Sequence, residues 1–136
     1  MTLLTGTCHC GALRAQFETA DPEALQVRAC QCGFCRRHGA RTVSDPAGHL
    51  RFSFSEAATS RYRFGTGSGD FLICRGCGAY MGVVMDSVGV LNVAAADIGS
   101  LASKPAEPMV YDDEAADAKR LRRLERWTPV TVEARP

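Results

Sequence analysis

Apolar and polar residues alternate in several short runs along the chain. Leu13, Ala15 and Phe17 alternate with polar residues, and so do Phe52 and Phe54 in LRFSFS. A third run, SRYRFG, follows the same pattern. A period of two residues is typical of a half-buried β-strand, because successive side chains point to opposite faces. These runs predict a protein built mainly from short strands.

The middle of the chain repeats strand-like segments between turns. The run GTGSGD separates SRYRFG from the apolar FLIC, and GAYMGVVM turns through DSVG into VLNVAAA. Glycine and aspartate favour turns, and the apolar runs between them are short enough for strands. This stretch therefore predicts a β-meander of antiparallel strands.

The segment YDDEAADAKRLRRLERW has a different pattern. Acidic residues come first, cations follow, and Leu121, Leu124 and Trp127 are spaced as on a short amphipathic helix. Five cations fall within residues 119–126. Because the whole chain is nearly neutral, we interpret them as a solvated helix face rather than a surface for nucleic acid.

Length and charge limit the possible classes of protein. The 136 residues fit one domain, residues 1–136, and 46% hydrophobic with 23% charged residues is ordinary for a soluble protein. A net charge of +1 gives no global attraction for nucleic acid or anionic membranes. We see no signal peptide and no apolar run of about 18 residues, and therefore expect a soluble, cytoplasmic protein with no membrane partner.

The chemistry of the sequence is concentrated in its cysteines. All seven fall in three clusters, TCHCG, CQCGFC and ICRGCG: Cys8, Cys10, Cys30, Cys32, Cys35, Cys74 and Cys77. In a reducing compartment such clusters are more typical of metal ligands or catalytic thiols than of disulfides. An odd number of cysteines also cannot pair completely within one chain.

The first and last clusters together supply four thiolates. Cys8 and Cys10 are separated by one residue, Cys74 and Cys77 by two, and a glycine follows each pair. Four thiolates complete a tetrahedral structural zinc site. Such a site would join two distant parts of the chain, and structural zinc contributes ~10–16 kcal/mol in small peptides. We therefore predict a structural Zn²⁺ bound by these four residues.

Cys30, Cys32 and Cys35 then remain on what we expect to be a short loop. Three thiolates leave a fourth zinc position for a substrate, as in catalytic zinc sites. A thiol that binds zinc loses its proton and becomes a nucleophile at neutral pH. The cations that follow could bind the carboxylates of such a substrate: Arg36, Arg37, His38 and Arg41. Glutathione carries both a thiol and carboxylates.

Two other interpretations of these cysteines stay open. Cys30 to Cys35 could form a redox pair, although the βαβ pattern of thioredoxin-like proteins is missing around it. Alternatively, all seven cysteines could hold structural zinc, with His9 or His38 as the eighth ligand.

In this order, GTCHCGALR, CQCGFCRRHGA and RYRFGTGSGDFLICRGCGAYM resemble the glutathione-dependent formaldehyde-activating enzyme (GFA) family, which includes centromere protein V-like members. The resemblance covers about residues 4–98 and leaves 99–136 as a carboxyl-terminal extension. It implies a zinc-containing β-tent fold of antiparallel sheets, here with a short C-terminal helix. It also implies a structural zinc on the outer cysteine pairs and a catalytic zinc on Cys30, Cys32 and Cys35.

The family reaction joins formaldehyde to glutathione and is classed with the carbon-sulfur lyases. We therefore predict an enzyme of that type, with a glutathione-like thiol and a small aldehyde as partners and a catalytic zinc held less firmly than the structural one. The alternative is a non-catalytic zinc-binding interaction module. Gly33 and residues 104–127 depart from the family pattern, which leaves the substrate open. Nothing in the sequence indicates an oligomeric state.

Overall fold

The alternating runs form strands in the computed structural model, which describes residues 1–136. The strands are β1 Thr2–Thr7, β2 Arg14–Thr19, β3 Val27–Cys30, β4 Thr42–Val43, β5 His49–Ser55, β6 Thr59–Tyr62, β7 Asp70–Cys74, β8 Tyr80–Met85, β9 Val88–Asn92, β10 Ala106–Met109 and β11 Thr128–Arg135. The helices are α1 Gly33–His38, α2 Gly99–Ala102 and α3 Ala116–Arg126, and Pro22–Ala24 and Glu56–Ala58 form 3₁₀ turns. The prediction of a mainly β protein with a short C-terminal helix is confirmed.

The first two alternating runs lie next to each other in the sheet. β2 pairs antiparallel with β5, so that Ala15 lies opposite Phe52 and Phe17 opposite Leu50. All four side chains are fully buried. They belong to the larger of two hydrophobic clusters, which has 18 buried residues. Each Å² of apolar surface that is buried stabilises a fold by about 25 cal/mol, so this face is a main source of the protein's stability.

The predicted β-meander is confirmed. β6 pairs with β7, β7 with β8 and β8 with β9, each antiparallel to its neighbour. Phe71 lies opposite Val83, and Val83 lies opposite Val90. Because directly opposed residues share a face of the sheet, the register forms an apolar row across three strands. This row becomes one wall of the cavity described below.

The carboxyl-terminal segment belongs to the centre of the sheet. β11 runs parallel to β5, with Val132 opposite Phe52, and its first residues pair with β9. β11 thereby connects the β1–β2–β5 strands with the meander and with the β9–β4–β3–β10 side of the sheet. Neither β1 nor β11 was predicted, although the alternation of Val130, Val132 and Ala134 is a strand signal.

Two strand pairs differ from the prediction of antiparallel sheets. β3 and β10 are parallel, as are β5 and β11. In both cases long stretches of chain separate the partners, and such crossovers allow a parallel return that a tight hairpin cannot make. No helix of the protein is both long and apolar enough to cross a membrane.

Candidate metal centres and cavity

The first and last cysteine pairs meet in the fold. The sulfur atoms of the four-cysteine cluster lie within 4.8 Å of one another: Cys8, Cys10, Cys74 and Cys77. The Sγ atoms of Cys8 and Cys10 are 3.8 Å apart, and those of Cys10 and Cys74 are 3.4 Å apart. Neighbouring sulfurs around a tetrahedral zinc with Zn–S bonds of ~2.3 Å lie ~3.8 Å apart. The donor set therefore fits one zinc ion.

Two tight turns hold these sulfurs together. Gly11 and Gly78, which follow the two pairs, have φ of +85° and +77°, a backbone conformation that glycine adopts most readily. The first turn also directs the amide of Leu13 at the Cys8 sulfur, at 3.3 Å. Although burial raises the pKa of Cys77, hydrogen bonds from the backbone of Cys10 and Ala79 lower it to about 6. Amide donors of this kind stabilise the thiolate that binds a metal.

The three-cysteine cluster comprises Cys30, Cys32 and Cys35, and its sulfurs also lie within 4.8 Å of one another. It lies at a strand-to-helix junction rather than on the expected loop. Cys30 ends β3, Cys32 caps the N-terminus of α1, and Cys35 is buried in the first turn of that helix. The Cys32 sulfur accepts a hydrogen bond from the Cys35 amide at 3.4 Å. Regular backbone thus positions all three sulfurs.

The thiols of this cluster shift one another's pKa through mutual hydrogen bonds. A hydrogen bond from Cys35 and further bonds from Cys32 outweigh burial and lower the pKa of Cys30 to about 6. The same hydrogen bond with Cys30, together with burial, raises the pKa of Cys35 above its ordinary value. Burial, with the cysteine charges as a smaller cause, also raises the pKa of Tyr80 well above the usual range.

An open cavity of about 100 Å³ adjoins the three-cysteine cluster. All three cysteines line it. Its apolar and aromatic walls come from the meander, including the loop between β6 and β7, and from the residue after α3: Phe64, Phe71, Tyr80, Val83, Val90 and Trp127. Its polar lining comes mainly from β3 and the carboxyl-terminal segment: Arg28, Thr42, Thr66, Tyr111, Asp112, Lys119, Arg122 and Arg123. A cavity with apolar walls, thiols at one place and charged side chains at others suits a small molecule that has a reactive end and a charged end.

Helix α3 points its cations at this cavity. Lys119, Arg122 and Arg123 are half-buried and line the cavity, whereas Leu121 and Leu124 are 58% and 42% exposed. The interpretation of these cations as a solvated face is therefore wrong for these three. Residues 119, 122 and 123 share a face by helical spacing, and in this protein that face is the inner one. Only Trp127 of the predicted apolar residues is buried.

The predicted substrate-binding cations do not line the cavity. Arg36 and Arg37 are exposed and donate to the backbone oxygens of Gln31 and Gly33, at 3.1 and 2.8 Å. The exposed His38 ring packs 4.5 Å from the ring of Phe34. Arg41 is half-buried, with a buried Nε that has no hydrogen-bond partner. Their role in substrate binding stays a prediction.

Neither histidine of the alternative interpretations joins a cysteine cluster. The groups that could hold a metal contain only cysteines, and His9 and His38 belong to neither. The sequence did not single out Arg28, and it indicated the cations of α3 only as a solvated face, because only the fold brings α3 to the cysteines that follow β3.

A mainly β protein with a closed set of four sulfurs and an open set of three beside a cavity has two groups of donors that could each hold a metal ion. The model of the family described as "Glutathione-dependent formaldehyde-activating enzyme" matches residues 3–113, and the chain belongs to that family. A Rhodobacter sphaeroides protein, whose crystal structure comes from Northeast Structural Genomics, is similar, with 31% identity and a TM-score of 0.56. The similarity covers 78% of this chain and 100% of that one.

Proposed function

We propose that this protein is a zinc-dependent carbon-sulfur lyase that adds a thiol such as glutathione to a small aldehyde, or catalyses the reverse. The family match supports glutathione-dependent formaldehyde chemistry in general. The observation that carries the finer proposal is that Cys30, Cys32 and Cys35 line a cavity, whereas the four-cysteine cluster does not. Three sulfurs beside an open space leave a ligand position for substrate.

In this proposal the two clusters have different roles. The four-cysteine cluster holds a structural zinc, because its four sulfurs complete the tetrahedron and connect residues 8–10 with residues 74–77. Cys30, Cys32 and Cys35 hold the catalytic zinc. When bound, that ion lowers the pKa of an added thiol and holds it as a thiolate.

The residues of the cavity position the reactants. Phe64, Phe71 and Trp127 form an apolar wall beside the sulfurs, against which a small aldehyde can pack. The substrate sulfur forms a bond to the carbonyl carbon while the C=O π bond breaks, and the oxygen that receives this electron pair takes up a proton in place of the one that the thiol lost. With formaldehyde the product is the S-hydroxymethyl hemithioacetal, and the reverse reaction breaks the same carbon–sulfur bond.

Replacement of Cys32 by serine tests this proposal. Serine is a favourable N-cap, so Cys32→Ser should preserve α1 while removing one thiolate. We expect a melting temperature close to that of the parent, about one zinc per chain instead of two, and a catalytic rate at least ~100-fold lower, as for loss of a group essential to the nucleophile.

The rate is measured by exchange NMR with glutathione and formaldehyde, and the uncatalysed addition is subtracted from each value. Glutathione with other small aldehydes serves as a second substrate set. Full activity in Cys32→Ser would contradict the proposal. The proposal would also be contradicted if the zinc-loaded parent did not accelerate the addition for any of the thiol and aldehyde pairs.

A further inference from the structure

Two arginines line the cavity without any carboxylate partner. Arg28 lies in β3, two residues before Cys30, and its guanidinium donates to the hydroxyl of Ser44 at 2.7 Å. Arg123 of α3 donates to the hydroxyl of Ser68 at 3.2 Å and contacts the sulfur of Met85 at 3.9 Å. The Nε of Arg123 is buried and has no partner. Neither arginine forms an ion pair.

The adjacent Arg122 is different. Its Nε and Nη2 atoms donate to the carboxylate of Glu114, both at 2.9 Å, and its guanidinium stacks over the ring of Tyr111 at 3.8 Å. This bidentate pair neutralises Arg122 within the protein. Arg123, one residue further along the same helix, receives no such partner. The protein therefore supplies a counter-charge to one of the two arginines and leaves the other available.

Burial makes an uncompensated guanidinium costly. Burial is the main cause that lowers the pKa of Arg123 from its ordinary value. Arginine nevertheless stays protonated in proteins, so both side chains keep their charge. A buried charge is normally paired. An anion that enters the cavity would provide the missing pair in a partly dehydrated environment, where charge-assisted hydrogen bonds are strong.

Neither arginine is neutralised by the acidic group of the cavity. Asp112 is the one carboxylate of the lining, and it forms no ion pair. Arg123 is instead held over the ring of Trp127, at 4.7 Å from the ring centre. Stacking fixes the plane of a guanidinium and leaves its edge for a planar carboxylate. Arg28 lies two residues before Cys30 in β3, and both arginines line the same cavity as the three cysteines.

We propose that Arg28 and Arg123 form the binding site for a substrate carboxylate and give the cavity its preference for thiols that carry one. This inference rests on the proposed function, because it places the substrate sulfur at the three-cysteine cluster. Arg123 follows the family-matched residues 3–113, so part of this selectivity comes from a helix outside the match. The two arginines are positioning residues for the substrate.

Three small probes separate the carboxylate from the thiol: 3-mercaptopropionate has both groups, 2-mercaptoethanol has only the thiol, and propionate has only the carboxylate. Dissociation constants are measured by calorimetry on zinc-loaded protein. Quenching of Trp127, the single tryptophan of the chain, reports whether the probe enters the cavity. We expect the parent to bind 3-mercaptopropionate about 10- to 100-fold more tightly than 2-mercaptoethanol, the range for a hydrogen-bonded charge pair.

Variants of α3 provide the matched comparison. Arg123→Met should reduce that preference to near unity, with unchanged affinity for 2-mercaptoethanol and unchanged zinc content, and Arg123→Lys should retain part of it. Arg120→Met on the same helix should leave the preference unchanged, because Arg120 does not line the cavity and pairs with Asp86. Arg28→Met tests the other arginine in the same way, and it replaces Arg123→Met as the test variant if Arg123→Met does not fold.

The results distinguish this inference from the proposed function. If thiols bind and the parent shows no preference for the carboxylate, or if the preference survives in both Arg123→Met and Arg28→Met, the carboxylate site is wrong and the thiol chemistry stands. If Arg123→Met loses zinc and weakens all thiols equally, the arginine compensates the charge of the cysteines, and the inference also fails. If only propionate and 3-mercaptopropionate bind, and equally well, the carboxylate site stands while the thiol chemistry fails.

Discussion

The two cysteine clusters use the same ligand atom in different surroundings. The four-cysteine cluster takes its sulfurs from two glycine-containing turns that are more than sixty residues apart, and no part of it lines the cavity. The three-cysteine cluster takes its sulfurs from one strand-to-helix junction, and all of them line the cavity. The number of sulfurs and the surroundings of each cluster therefore distinguish the two clusters in the same way. The cluster with four sulfurs connects distant segments, and the cluster with three sulfurs faces a space that a ligand can enter.

The largest effect is expected from Cys77→Ser in the four-cysteine cluster. Loss of one ligand should release the structural zinc, whose binding free energy is also folding free energy. Because a domain is stable by only ~5–15 kcal/mol, we expect loss of cooperative unfolding or a melting temperature lower by more than ~15 °C. Circular dichroism melts and zinc content measure both. The same substitution at Cys32 is the control, and a parent-like melt of Cys77→Ser would contradict the structural role.

Graded chelation should separate the two ions in time. The three-cysteine cluster offers one ligand fewer and is open to solvent through the cavity, so its zinc should leave first. We expect two phases of zinc release with rates that differ at least ~10-fold, equivalent to ~1.4 kcal/mol in barrier. Absorbance of a zinc-binding dye follows release, and circular dichroism should change only in the second phase. Release of all zinc in a single phase, or a change in circular dichroism during the first phase, would contradict the different roles of the two clusters.

The smallest effect is expected from the ion pair between Glu114 and Arg122 of α3. A hydrogen bond from Arg122 lowers the pKa of Glu114 below its ordinary value. A lowered pKa in the folded state stabilises the protein above the unfolded-state value, and this stability is lost as the pH falls through the folded-state value. Because the pair is partly exposed, Glu114→Gln should cost only ~0.5 kcal/mol at neutral pH.

This difference should be constant from about pH 7 to pH 5 and should shrink below the ordinary glutamate pKa of ~4.3. Urea unfolding of the parent and the variant is compared at each pH, so that effects of acid on other groups affect both. Glu125→Gln, an exposed residue of α3 without an ion pair, is the matched control. A Glu114→Gln difference that grows on acidification would contradict the assigned direction.

Much of the fold was predictable because its signals are local. The alternation around Phe17, Phe52 and Phe54 predicted buried strands, and the glycine-rich turns predicted the meander. The central strand β11 was missed although Val130 and Val132 alternate, because the preceding helical pattern dominated the interpretation of the segment. The parallel direction of β11 could not be predicted, since it depends on the crossover and not on any local pattern.

The candidate sites divide in the same way. The cysteine spacing by itself predicted the two groups of thiols that the fold brings together, because short-range pairs and an odd remainder allow few arrangements of thiolates around an ion. Only the tertiary structure decided which cations face the cysteines. Arg36 and Arg37 follow the cysteines directly in sequence but donate to the local backbone. Arg28, two residues before Cys30, and Arg123, from the distant helix α3, line the cavity instead. The interaction between two charges depends on their distance in space, which their separation in the sequence does not give.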